Sequence, residues 1–319
     1  MKVLEVKNLK TYFRTDEGTA KAVDDISFFL NKGETLGIVG ESGCGKSVTA
    51  LSILRLLPKS INCDINGGIF FNGENLLSLP EKDMRKIRGN RISMIFQEPM
   101  TSLNPAYTCG NQVAEVLKIH KNITGKQAEE YTIELFKKSG IAYPEQRVKE
   151  YPHQLSGGMR QRVMIAIALA CSPDILIADE PTTALDVTVQ AQILDLIKDI
   201  QRENNMSVIL ITHDLGVVSG VCGRIMVMYA SKIVETGTVD EIFNNPKHPY
   251  TVGLLNSIPK SKNKSVRLSS IPGNVPSSLD YPTGCRFSTR CSLADEKCIV
   301  QIPPDIEISG THYASCLKI

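Results

Sequence analysis

The chain lacks a long apolar run. Its longest clean stretch, V-M-I-A-I-A-L-A-C at residues 163–171, is nine residues, against the ~18 to 20 that a helix needs to cross a bilayer, so no membrane span is expected. An excess of one charge is also missing: 36 Lys and Arg face 34 Asp and Glu, a formal net charge of +2, which removes the global electrostatic case for a nucleic-acid partner. Low-complexity tracts and repeats of solenoid period are absent, excluding fibrous, linker and repeat classes. The opening residues M-K-V-L-E-V-K-N-L-K alternate apolar and polar positions, the pattern of an edge strand rather than the continuous apolar core of a secretion signal. A cytosolic location is the expectation.

What is present is ordinary globular material, with 42% hydrophobic and 22% charged residues. At 319 residues the chain exceeds most single compact domains, so a main domain with an appendage is expected. Residues 34–39 read as a strand ending in a glycine-rich turn, and residues 46–57 then carry Val48, Leu51, Ile53, Leu54 and Leu57 near helical spacing. Residues 91–96, 174–178 and 207–211 read as further core strands, and 224–234 as a strand pair closing at Gly237. Continuous apolar strands interleaved with helices imply a largely parallel sheet covered on both faces. Between Gln97 and Leu155 the texture is helical with polar faces, and S-K-N-K-S at residues 261–265 reads as a linker to the appendage.

Residues 40–47 spell G-E-S-G-C-G-K-S, a full match to G-x-x-x-x-G-K-[ST] between a strand and a helix. Gly40, Gly43 and Gly45 let the backbone amides of the loop, those of Glu41, Ser42 and Cys44 included, curl round phosphates without a Cβ clash. The helix start at Lys46, Ser47 and Val48 adds its positive end. In this motif Lys46 reaches the β and γ phosphates and Ser47 ligates Mg²⁺. Cys44, at a free position, is a small filler. Further on, I-L-I-A-D-E at residues 175–180 ends a strand with Asp179, placed to hold Mg²⁺ directly or through water, and Glu180, placed to polarise an attacking water. Two acids at a strand end are by themselves as readily a solvated surface; the phosphate loop upstream favours the functional role.

Nine cysteines are unevenly placed, five scattered through the first 222 residues and four at Cys285, Cys291, Cys298 and Cys316. Scattered cysteines in a cytosolic chain are usually reduced core residues. The terminal four are separated by five, six and seventeen residues, without the C-x-x-C pair of a zinc knuckle or ferredoxin. Four thiols so close in a cytosolic chain fit a metal or iron-sulfur site better than disulfides. Arg286 and Arg290 flank them, as charge partners of such a site or as ordinary surface residues, and His312 is a substitute ligand of lower rank.

L-S-G-G-M-R-Q-R at residues 155–162 lies between the phosphate loop and the acidic pair. Alone it is a turn or a helix cap; in this order the chain resembles the nucleotide-binding subunit of an ATP-binding-cassette (ABC) transporter over about residues 2–237. The resemblance implies an α/β P-loop NTPase fold with a mixed, largely parallel sheet, an inserted helical subdomain and a small Cys-containing C-terminal extension. The expected division is residues 1–96 with 163–245 as ATPase core, 97–162 as helical subdomain and 246–319 as extension. ATP and Mg²⁺ are the implied ligands. By the same resemblance Ser156, Gly157 and Gly158 grip the γ-phosphate of ATP held by the other subunit of a dimer, and Gln97 touches Mg²⁺ and the attacking water. Ala184, Leu185 and Asp186 match the loop that crosses the dimer interface, His213 the γ-phosphate contact, and Tyr12, with Phe13 as its neighbour, the aromatic that stacks on adenine.

A narrower resemblance rests on E-P-M-T-S-L-N-P at residues 98–105, P-T-T-A-L-D-V-T-V-Q at 181–190 and H-P-Y-T at 248–251. These are similar to the oligopeptide and dipeptide importer ATPases of the D type. The implied partners are a second ABC ATPase subunit, identical or different, two transmembrane permease subunits and, indirectly, an external peptide-binding protein, with no nucleic acid. The implied position is peripheral, on the cytoplasmic face of the cell membrane. Peptides are the implied solute, with nickel or another small solute as the alternative and a non-transport cassette ATPase as the rival class. In this subgroup a comparable cysteine pattern holds a [4Fe-4S] cluster, which the resemblance implies for Cys285, Cys291, Cys298 and Cys316, with zinc as the alternative.

Overall fold

The computed structural model describes residues 1–58, 62–98, 102–183, 185–258 and 270–319. Met100, Thr101, Ala184 and the S-K-N-K-S segment lie outside the described residues. The chain forms two compact units, Met1–Leu77 with Leu210–Ile319 and Ser78–Ile209.

The first unit begins with the long antiparallel pair β1 (Lys2–Thr15) and β2 (Gly18–Asn31). Alternation explains the second half of β2, where Ile26, Phe28 and Leu30 are buried while Asp25 and Ser27 face outward. In β1 the alternation changes phase, from buried Leu4 and Val6 to buried Leu9 and Thr11. A register shift between Val6 and Leu9, with Asn8 at φ 47°, inserts the extra residue that keeps both halves facing inward. The apolar β3 (Thr35–Val39) follows and leads through the phosphate loop into helix Lys46–Ile53. Then β4 (Cys63–Phe71) pairs with the other side of β1 and with the short β5 (Glu74–Asn75), giving the order β2-β1-β4-β5. The opening segment is therefore an internal strand, not the edge strand its alternation suggested.

In the second unit, β6 (Ile92–Ile95) and β7 (Ile175–Asp179) run parallel. Between them, helices Cys109–Lys121, Gly125–Lys138 and Pro144–Arg147 fill the stretch read as helical. Gly125–Lys138 buries Ala128, Thr132, Leu135 and Phe136, one face of a helix. The nine-residue apolar run falls in helix Gly157–Leu169 and the turn after it; there Val163, Ile165, Ala166 and Ala168 are all buried, as expected of a helix that is apolar all round. Helix Val187–Asn204 precedes β8 (Ser207–Thr212), every residue of which is buried.

The chain belongs to the first unit again from Leu210, and continues with β9 (Arg224–Tyr229) and β10 (Lys232–Thr238) to the hairpin β11 (Ile306–Ser309) and β12 (His312–Ala314). The strand order there is β11-β12-β10-β9-β3, with β3 and β9 parallel and the other pairs antiparallel, so the sheet is mixed. Phe287, from the cysteine-bearing segment, packs its ring 5.1 Å from Tyr229 and 5.4 Å from Tyr250. Burial of one such ring contributes about 1.5–3 kcal/mol, so this segment is part of the unit's core. Among the described residues no helix is long and apolar enough to cross a membrane.

Candidate nucleotide site

The phosphate loop is shaped by close backbone approaches. Gly40 lies at φ 156°, and a Cβ there would sit 2.2 Å from the Met228 carbonyl oxygen; Gly45 lies at φ 104°, and a Cβ would sit 2.4 Å from that of Ala22. Gly43, at φ 79°, faces open space. Lys46 is buried, with its ammonium donating to the carbonyls of Gly40 at 2.8 Å and Glu41 at 3.0 Å. Its charge is thus held at the rim of the curl, at the start of helix Lys46–Ile53, where Ser47 and Val48 are part-buried. Cys44 is fully buried and burial raises its pKa, so it is a packed thiol. Between β1 and β2 of the unit's first sheet the Tyr12 hydroxyl donates to Asp24 at 2.5 Å. Burial, then this bond, raises the Tyr12 pKa. In this unit His213 stands exposed just after β8, beside Asp214, whose carboxylate caps helix Leu215–Val221.

In the second unit, buried Asp179 is the last residue of β7 and Glu180 follows with φ 46°. A non-glycine residue in that region stores about 1–3 kcal/mol and marks functional turns. The Glu180 carboxylate oxygen Oε2 accepts from Gln97 Nε2 at 3.0 Å and Thr183 Oγ1 at 2.9 Å. The structure therefore brings Gln97 and Glu180 together and adds Thr183, which sequence reasoning missed although it lies in the quoted P-T-T-A-L-D stretch. Ser156 caps helix Gly157–Leu169, its hydroxyl accepting the Met159 amide at 3.4 Å. Ser156 and Gly157 are exposed, and a Cβ on Gly158 would crowd Val189 at 3.0 Å. Asp186 caps helix Val187–Asn204 by accepting the Val189 amide at 2.9 Å.

The four terminal cysteines all lie in the first unit. All nine cysteines are free, and among the described residues no group of three or more His, Cys, Asp or Glu is arranged to hold a metal ion. Two of the four terminal thiols accept amides in their own turns, Cys291 Sγ from Leu293 and Cys316 Sγ from Lys318, both at 3.4 Å. Burial first, then the charges of the other thiols of the four, raises the pKa of Cys285 and Cys316, which favours their protonated forms. His312 is bonded to buried Glu235 at 2.8 Å. The flanking arginines are not surface residues of a metal site either. Arg286 pairs with Asp24, and Arg290 with Glu41 of the phosphate loop at 2.6 Å.

A glycine-shaped loop between β3 and its helix, on a mixed sheet, defines a phosphate-loop nucleoside triphosphatase. Residues 23–183 match the family described as ABC transporter, and residues 234–298 that described as oligopeptide/dipeptide transporter, C-terminal region. The oligopeptide transport ATP-binding protein AppD of Bacillus subtilis is 54% identical over 94% of this chain and 92% of its own length. The probable peptide ABC transporter ATP-binding protein y4tR of Sinorhizobium fredii is 52% identical over 99% of this chain and 95% of its own. Among solved structures, the post-hydrolysis dimer of the ATP-binding cassette MJ0796 bound to ADP and Pi aligns with a TM-score of 0.67 and 28% identity, covering 74% of this chain and 98% of that one. The chain belongs to the ABC transporter family, in the branch with the oligopeptide/dipeptide C-terminal region, and it is an ATPase.

Proposed function

We propose that the chain is the ATP-hydrolysing subunit of an importer for di- and oligopeptides, working beneath partner membrane subunits. The names of its relatives and the match over residues 234–298 support the peptide class. In this reading Gly40, Glu41, Ser42, Gly43, Cys44, Gly45, Lys46, Ser47 and Val48 cradle the phosphates and Tyr12 stacks on adenine. Ser47, Gln97 and Asp179 would hold Mg²⁺, which would supply charge neutralisation on the phosphates. Glu180 takes the proton of the attacking water, Gln97 orients that water and His213 contacts the γ-phosphate. Ser156, Gly157 and Gly158 serve the nucleotide of a second cassette subunit, identical or different. Two permease subunits cross the bilayer, an external binding protein delivers peptide, and the ATPase sits peripherally on the cytoplasmic face. A [4Fe-4S] cluster or zinc at Cys285, Cys291, Cys298 and Cys316 rests on resemblance alone and takes no step here. Iron, sulfide and zinc analysis of anaerobically purified chain decides it.

The observation that carries the reading is the Glu180 carboxylate, oriented by Gln97 and Thr183 directly after buried Asp179. A carboxylate held in place by two donors is positioned to take a proton. Glu180→Gln keeps shape and removes basicity. With partner subunits present, it is expected to retain ATP and to lose turnover by at least ~10²-fold. Wild-type turnover in that variant rejects the role.

A further inference from the structure

H-P-Y-T and the arginine before Cys291 have no part in the mechanism above, yet both touch the phosphate loop. Glu41 is gripped at two points. Its amide donates to the Tyr250 hydroxyl at 2.9 Å, and its carboxylate takes a bidentate pair from Arg290, Nη1 to Oε2 at 2.6 Å and Nη2 to Oε1 at 3.1 Å. The Arg290 side chain is 3% exposed against 31% for Glu41. Two further donors bond the carbonyls of Pro272 at 2.9 Å and Ile271 at 3.3 Å, and its guanidinium lies 5.7 Å from the Tyr229 ring. Tyr250 is fully buried beside Tyr229 and Phe287. The loop therefore meets a rigid wall.

A second line of contacts leads to the same place. The Cys44 carbonyl accepts the Ser231 amide at 3.0 Å, and the Ser231 hydroxyl bonds the Tyr281 hydroxyl at 2.7 Å. Arg286 stacks 4.0 Å from the Tyr281 ring centroid and pairs with Asp24, the partner of the Tyr12 hydroxyl. Tyr250, Tyr281, Arg286 and Arg290 all come from residues 234–298, the oligopeptide/dipeptide region, whereas Glu41 and Cys44 belong to the ABC match.

We propose that the C-terminal region is an internal clamp on the phosphate loop, with Arg290 and Tyr250 as positioning residues that act through Glu41. The clamp rests on the reading of this loop as the ATP site and deepens it. A bidentate fork and a fixed hydroxyl hold Glu41, the second residue of the loop, in one orientation, so the neighbouring amides converge before nucleotide arrives.

The test uses the full-length chain and Mg·ATP, with affinity followed by a fluorescent N-methylanthraniloyl nucleotide and KM and kcat read separately. Wild-type affinity reports on the nucleotide reading alone, and the variants relative to it report on the clamp. Glu41→Gln, Arg290→Lys and Arg290→Gln are each expected to weaken nucleotide binding about tenfold, the weight of one group no longer pre-ordered. KM for ATP rises with them, and in the Arg290 variants kcat at saturation stays within about twofold. The Glu41→Gln/Arg290→Gln double variant is expected to be no weaker than either single one, since the two act as a unit. Tyr250→Phe, which removes only the hydroxyl, shifts affinity in the same direction. Glu41→Gln keeps the shape of a part-exposed side chain, so it reports even where an arginine variant folds poorly. Unchanged affinity in folded Glu41→Gln and Tyr250→Phe, with only the melting temperature lowered, overturns the clamp.

Discussion

Gly43 and Gly45 share a left-handed backbone but differ in what surrounds them. At Gly43 an added Cβ meets nothing within 4 Å, so alanine brings only the conformational penalty, about 1–2 kcal/mol. At Gly45 the same methyl meets the Ala22 carbonyl oxygen at 2.4 Å, and backbone displacement adds about 1–3 kcal/mol. Gly45→Ala is therefore expected to lower the thermal midpoint of the nucleotide-free chain clearly more than Gly43→Ala. Equal midpoints would mean that the loop moves freely past β2. Glu180 is the opposite case, a residue that keeps a left-handed conformation without being glycine. Its retention fits a carboxylate that chemistry requires at that place.

Helix Pro249–Asn256 shows how a short motif becomes an element. Pro249 suits the first turn, and His248 caps it with Nδ1 accepting the Tyr250 amide at 3.1 Å. The ring is 1% exposed and burial lowers its pKa to about 4. A neutral cap is thus required. Between about pH 4 and the unfolded value near 6.5 the unfolded chain binds the extra proton, so stability rises with pH across that window and is lost as pH falls through it. The full loss is on the order of 3 kcal/mol. Replacing His248 by Asn, which keeps a capping oxygen, is expected to flatten that part of the stability profile in denaturant titrations; an unchanged slope would place the acid sensitivity elsewhere. The same element marks the limit of sequence reading. Strands β3, β6, β7 and β8 and the phosphate loop were legible because apolar runs and a fixed glycine spacing are local signals. The edge assignment of β1 failed because alternation records which face is buried, not how many neighbours a strand has. Pairings such as Glu41 with Arg290, 249 residues apart, leave no local pattern at all. The four terminal cysteines are a similar case, since spacing alone does not fix where four thiols point.

At the scale of the whole molecule, the exposed groups indicate where the chain is incomplete. Ser156 and Gly157 stand in solvent at the start of a buried helix, and Val187, just past Leu185 and Asp186, is 83% exposed. A helix N-terminus attracts an anion, and one solved cassette similar to this chain is a dimer bound to ADP and Pi. If the signature serves the nucleotide of a second cassette, binding and pairing separate genetically. In light scattering, Mg·ATP added to the Glu180→Gln chain together with its cassette partner is expected to raise the particle mass to that of two subunits. Ser156→Arg introduced into the same chain is expected to leave its own nucleotide affinity intact while preventing the mass increase, because the bulky cation fills the helix start that should receive the partner's γ-phosphate. Loss of the chain's own ATP binding in Ser156→Arg, with pairing retained, would assign the signature to the nucleotide of its own subunit and remove the basis for the two-subunit cycle.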